Sequence, residues 1–120
     1  MIFIPGSVPS SKNSRVWTGK HFIASKSVRK WRDDTAPYWI KYKQDFLDKL
    51  DGVEKPYKIS MKFVRGTKHR FDYINPAQTI QDEMVKYGWI EDDDASNMIP
   101  VFLEFEYNKT KPGVYVDIIR

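Results

Sequence analysis

The sequence predicts an α+β domain: a small mixed sheet of four to five strands with two main helices packed on one of its faces. Three patterns carry that prediction. Apolar residues recur at three- and four-residue steps in two stretches, as on an amphipathic helix. Between them, residues 57–65 alternate apolar and polar, the period of a strand with one face buried. Beyond the second helical stretch, two more strand-like runs flank a turn-forming segment. No repeat, linker or low-complexity segment interrupts the 120 residues, so 1–120 reads as a single domain with one modest core.

In chain order, Ile2-Phe3-Ile4 running into Pro5-Gly6 predicts a first strand and a turn. Residues 8–15 are small and polar, with bases at Lys12 and Arg15 around Asn13. Short side chains and free backbone N–H groups beside two cations suit phosphate contact, although a plain surface loop has the same composition. Residues 17–24 predict a turn and a short strand. His21 reads there as an exposed strand residue, because no second histidine stands at ligand spacing.

Ser27 is placed to cap a helix over roughly 28–50, with Val28, Trp31, Thr35, Tyr38, Tyr42, Phe46 and Leu50 as its buried stripe. Pro37 predicts a kink or break near Ala36. The bases lie off the stripe, and Arg29, Lys30 and Arg32 are the ones best suited to DNA. After Asp51-Gly52 ends the helix, Tyr57, Ile59, Met61 and Phe63 alternate with Lys58, Ser60 and Lys62 in a strand.

Asn75-Pro76 predicts the start of the second helix, with Asn as N-cap and Pro in the first helical position. The helix should reach about Tyr87, stop at Gly88, and bury Ala77, Ile80, Met84 and Tyr87. Asn75, Gln78 and Asp82 then share its outer face. Farther on, Val101, Leu103, Phe105 and Tyr107 alternate with Glu104 and Glu106. Residues 108–113 turn the chain into 114–119, which predicts a hairpin.

With no cysteine, the chain has no disulfide framework, thiolate chemistry or zinc–sulfur site. It shows neither a secretion leader nor an apolar run of membrane-spanning length, so a soluble intracellular protein is expected. The net charge of +4 is unevenly spread: residues 1–70 carry 16 Lys/Arg against 6 Asp/Glu, and residues 71–120 carry 4 against 10. From Asp72 to Asp94, seven carboxylates (Asp72, Asp82, Glu83, Glu91, Asp92, Asp93 and Asp94) face one cation, Lys86. Crowded carboxylates repel unless a cation compensates, and carboxylate and amide oxygens are the donors that Mg²⁺ prefers. A solvated acidic loop is the plainer alternative. A basic half beside such a cluster is what an enzyme acting on a polyanion would need.

Several of these features together resemble the RusA family of Holliday-junction resolvases, over nearly the whole chain. They are the Pro9-Ser10-Ser11-Lys12-Asn13-Ser14-Arg15 loop after the first strand, Lys68-His69-Arg70-Phe71-Asp72, the helix bearing Asn75 and Asp82, and Gly88-Trp89 leading to Asp92-Asp93. The resemblance implies a RusA-like fold and a homodimeric, Mg²⁺-dependent endonuclease cutting branched, four-way DNA, with Mn²⁺ able to substitute. It also implies a place in recombination and repair in the cytoplasm of a bacterial or phage-infected cell, and no small-molecule cofactor or membrane partner.

Carried over residue by residue, it makes Asp72, Asp92 and Asp93 catalytic, and gives the metal Asp72, Asp93, Asp82 and Asn75. DNA would be held by Lys12, Asn13, Arg15, Arg29, Lys30, Lys68, Arg70 and Gln78. Two positions depart from the family pattern: Ile74 stands where a second acid is expected, and Gln78 where a lysine is. Isoleucine binds no metal, and a neutral amide neither offsets phosphate charge nor protonates a leaving oxygen. Three outcomes therefore remain open: a catalytically inactive DNA-binding relative, a nuclease whose metal is held by a rearranged set drawn from Asp72, Asp82, Asp92, Asp93 or Asp94 with the amides of Asn75 and Gln78, and a nuclease with weakened activity.

Overall fold

The computed structural model describes residues 1–10, 15–17, 19 and 22–120, with the backbone course alone at 15–17 and 22–24. The elements run β1 (Ile2–Pro5), β2 (Arg15–Trp17), β3 (Phe22–Ala24), α1 (Lys26–Lys49), β4 (Tyr57–Arg65), α2 (Ile74–Lys86), β5 (Met98–Phe102), β6 (Glu106–Tyr107) and β7 (Gly113–Ile119). Five strands form a mixed sheet in the order β1-β7-β4-β5, with β6 also paired to β4; β2 and β3 form a separate antiparallel pair. The α+β class, the mixed sheet and the two main helices agree with the sequence-based expectation.

β4 lies at the centre of the sheet. It pairs antiparallel with β7 along one edge and parallel with β5 and then β6 along the other. Its alternation holds on the helix side, where Ile59, Met61 and Phe63 are buried with Ile2, Ile4, Val114 and Val116 of the neighbouring strands. On the other face Ser60 and Val64 are buried too, because a central strand is hemmed in on both edges. β1 and β7 approach so closely at Gly113 that a Cβ there would stand 2.5 Å from the Ile4 carbonyl oxygen.

The expected hairpin between 101–107 and 114–119 is not formed. β4 separates those segments, and the connection from β4 to its parallel neighbour β5 is made by α2, as parallel pairing requires. The expected alternation over 101–107 is also broken. Phe102 pairs across from Met61 and Tyr107 from Arg65, so both face the helix side although they stand five positions apart, an offset that puts residues of a regular strand on opposite faces. The non-strand residues 103–105 absorb the change of phase, and Leu103, Phe105 and Tyr107 are exposed rather than buried.

α1 starts two residues before the predicted span and is capped by Ser25, whose hydroxyl accepts from the Val28 amide, not by Ser27. It runs through Pro37 without a break. The helical donor missing there belongs to an exposed stretch around Asp33 and Pro37, where solvent can satisfy the Asp33 carbonyl. Val28, Trp31, Thr35 and Phe46 are buried as expected, and Tyr38, Tyr42 and Leu50 pack at the margin. The stripe reading omitted Trp39, which is fully buried and donates its indole N–H to Thr35 Oγ1 at 3.2 Å.

α2 begins at Ile74, ahead of the predicted cap. Tyr73 takes the N-cap position with no side-chain cap bond, and Asn75 and Pro76 lie inside the first turn, where N–H groups have no helical partner to lose. At the far end the Gly88 amide bonds to Val85 O and the Trp89 amide to Met84 O, with Gly88 at φ +78°. That is a Schellman termination, and it favours glycine at this position. The expected Ala77, Ile80 and Met84 are buried, Tyr87 only partly, and Pro76, Thr79 and Glu83 join the buried face. Among the described residues, no helix is long and apolar enough to cross a membrane.

Glu83 is the unexpected member of that face. One carboxylate oxygen meets Arg32 Nε of α1 at 3.3 Å and the other is buried without a partner. Burial pushes its pKa up, against the pull of Lys86 and Arg32. A carboxyl raised in the folded state contributes stability below its unfolded pKa and loses it as pH rises through the folded value. Glu83→Gln should therefore raise the urea midpoint at neutral pH, and the gap should close as pH falls below the ordinary carboxylate range, where the wild-type side chain is protonated in both the folded and unfolded states. A variant less stable than wild type at neutral pH would show that the Arg32 ion pair outweighs the burial cost.

Candidate functional site

The loop after β1 is pinned from two sides. The Gly6 amide donates to Pro112 O at 2.9 Å, and Thr79 Oγ1 of α2 donates to Pro9 O at 2.8 Å. Across from it the chain leaves the end of β4 at Arg65 and reaches α2 through Lys68, His69 and Arg70, all exposed. Between the two lies a cleft of about 700 Å³, walled by residues 7–10 on one side, by Arg65, His69, Arg70 and Phe71 on the other, and by Asp72, Asn75 and Pro76 at the start of α2. Open α/β sheets commonly bind ligands just beyond the carboxyl ends of strands, and this cleft has that position relative to β4.

Its charge is mainly cationic. Arg65 lays its guanidinium over the Phe71 ring, 4.3 Å from the centroid, and its Nε is buried with no hydrogen-bond partner. Burial lowers its pKa from the ordinary arginine value, yet a guanidinium keeps its proton at any physiological pH. Among the described residues neither Arg65 nor Arg70 is ion-paired, so an anion entering the cleft meets cations not already neutralised. Sequence reasoning missed Arg65. The signal was available, because its place two residues after Phe63 puts it on the helix side of β4.

A turn farther along α2 sits a second group. Gln78 Nε2 donates to Asp82 Oδ1 at 2.8 Å and to Asp93 Oδ2 at 2.9 Å, so one neutral amide holds two carboxylates against a common point. Asn75, Gln78 and Asp82 follow one another at three- and four-residue steps, and a helix rise of about 1.5 Å per residue puts the cleft and this carboxylate pair side by side on one face.

The other acids of the stretch are engaged elsewhere. Glu91 pairs with Lys55 at 3.2 Å, and Asp92 Oδ1 accepts from the Asp93 amide at 2.8 Å. Asp94 accepts from Asn97 and Ser96, bonds that hold its pKa below the usual value and tie the turn into β5. Asp93 is thus gathered with Asp82, whereas Asp72 lines the cleft with Asn75. Among the described residues, no three acidic or histidine side chains form a group that could hold one ion.

As a donor set, the Asp82–Asp93 pair suits Mg²⁺. That ion is commonly held by one or two carboxylates, with water and substrate phosphate filling the remaining positions. The Gln78 amide nitrogen lies within hydrogen-bond distance of both acids.

Of the remaining DNA candidates, Lys68 lies over the Tyr107 ring at 5.1 Å. Arg29 and Lys30 are exposed on α1 and do not line the cleft; Lys30 is paired with Asp34 at 2.8 Å. Arg15 is in β2, and Lys12, Asn13 and His21 lie outside the described residues.

Compared with known proteins, the sequence matches no family model and no curated relative.

Thr79→Val should cost about 1 kcal/mol in denaturant unfolding, because it leaves the Pro9 carbonyl without its donor. It should also speed amide hydrogen exchange in residues 6–10 relative to β4. Unchanged exchange there would mean that this bond does not hold the wall of the cleft.

Proposed function

We propose that the chain is a RusA-like, structure-selective DNA endonuclease. In this reading it works as a homodimer on branched, four-way DNA in recombination and repair, in the cytoplasm of a bacterial or phage-infected cell. The observation that carries the reading is the run along one face of α2. A cationic cleft holding Arg65, His69, Arg70 and Asp72 adjoins two carboxylates, Asp82 and Asp93, turned towards one point.

Arg65 and Arg70 bind backbone phosphates, releasing counterions from the DNA. Asp72, which lines the same cleft, acts as proton acceptor for the attacking water. Asp82 and Asp93 would hold the divalent ion, and Asp92 supports Asp93 by accepting from its amide. Mg²⁺, or Mn²⁺ in its place, supplies Lewis-acid charge to the phosphate. Two related sites suit a substrate with two-fold symmetry, which is the reason for expecting a dimer.

A second reading, a catalytically inactive junction-binding relative, is favoured by two details. The Gln78 amide already satisfies both carboxylates, and Ile74, at the position where the family carries an acid, is an apolar side chain 71% exposed.

Cleavage of a labelled four-way junction across a metal series separates the two. On the nuclease reading, Mg²⁺ or Mn²⁺ supports cutting, Asp93→Asn abolishes it, and junction affinity is kept. On the second reading the wild type binds and never cuts, and Ile74→Asp combined with Gln78→Lys gains activity. On either, Arg70→Ala should weaken binding about equally for all DNA sequences and reduce the salt slope of log affinity by about 1.

A further inference from the structure

Around the N-terminal end of α2, four rings are gathered against one another. Tyr73 stacks on Phe102 with centroids 5.3 Å apart and planes 16° from parallel. Phe71 meets Tyr73 and Phe105 edge to face at 5.3 and 5.1 Å. The Tyr73 hydroxyl accepts from the Phe105 amide at 3.1 Å, tying the non-strand residues after β5 to the start of α2. Phe105 is 47% exposed and Phe102 36%, and Tyr107, 44% exposed, pairs with Arg65 on the same face of the sheet. A group of rings this open to water marks a surface that meets a partner.

Resting on the proposal that the chain binds branched DNA, we infer that this aromatic group is a stacking surface for unpaired nucleobases beside the branch point. Charge selects that occupant. Arg65 sits on Phe71 and Lys68 on Tyr107, and Phe71 is shared with the cationic cleft, so a strand with its bases on the rings has its phosphates beside Arg65, Lys68 and Arg70. Glu106, in the same segment, faces the opposite side of the sheet and is paired there with Lys62 at 3.8 Å. The rings are already ordered by one another, so little freedom is lost when a base stacks on them.

A second copy of the chain suits the surface less well. A two-fold contact there would bring the same cations of both copies together. Strand addition at this edge is also obstructed, by Pro100 in the middle of β5 and by the break at 103–105.

The test is binding by the full chain, read as fluorescence anisotropy, to single-stranded oligothymidylate, a blunt duplex of the same length and a four-way junction. Phe105→Ala and Tyr107→Ala should each weaken single-strand and junction binding by about tenfold and leave duplex binding unchanged, while Phe105→Tyr keeps wild-type affinity. A 2-aminopurine base in the single strand should be quenched by wild type and not by Phe105→Ala. Thermal melts establish that each variant is folded.

Equal affinities of wild type and both alanine variants for single strands would overturn the inference. So would equal losses on duplex and single strand, or an alanine variant that turns a dimer into a monomer in sedimentation without altering DNA binding. Because cleavage is no part of the measurement, a protein that binds and does not cut leaves the stacking surface standing. A wild type that binds no DNA of any form removes both this inference and the reading it rests on.

Discussion

Trp89 enters the core directly after the last turn of α2, and its indole N–H donates to the Trp39 carbonyl of α1 at 2.9 Å. Its ring lies against Phe46 at 4.8 Å and Trp39 at 5.0 Å. This can happen only if the chain reverses sharply at Gly88, whose positive φ allows the two amides that follow α2 to close back on Val85 and Met84. The far end of α2 is thereby fixed to α1. Thr79 fixes its middle to the loop after β1, and Tyr73 ties its beginning to the segment after β5. With three attachments the helix cannot rotate, and its remaining face, carrying Asn75, Gln78 and Asp82, is committed to one direction.

That commitment sorts the seven acids by environment. Glu83, one residue from Asp82, falls on the buried face and is raised in pKa by the loss of water. Asp94 is lowered by hydrogen bonds that serve a turn. Glu91 leaves for Lys55, and Asp82 and Asp93 are brought to one amide. Asp72 lines the cleft and Asp92 accepts from the Asp93 amide, so like charges close together in sequence end in six different situations, and only Asp82 and Asp93 share a point. The basic side is sorted similarly: Lys30 and Arg32 are engaged with Asp34 and Glu83, and the cations of the cleft stay available to an anion.

The aromatic residues divide along the same line. Trp31, Trp39, Trp89, Phe46 and Phe63 are buried between sheet and helices, where ring area lost to water stabilises the fold most. Phe71, Phe102, Phe105 and Tyr107 lie outside that core. The phase change at 103–105 turns Phe102 and Tyr107 to the same side, so the rings gather beside Arg65 instead of alternating through a core.

The sequence by itself determined the class of fold, both helices, the central strand and the sheet-side core, because period and burial are local properties of a chain whose elements each have one apolar face. It also placed Gly88 at the close of the second helix, and Gln78 and Asp82 on that helix's outer face. It did not reveal that β4 would stand between the last two strand regions, since the alternation of a strand says nothing about which neighbour it pairs with. Nor did it show that Trp39 and Glu83 would be buried or that Arg65 would face the cleft, because each depends on which element packs opposite. Tertiary structure decided those points. A side chain's environment is set by what comes to lie against it, and for this site those neighbours come from loop 6–10, the end of β4 and the turn before β5, which are far apart along the chain.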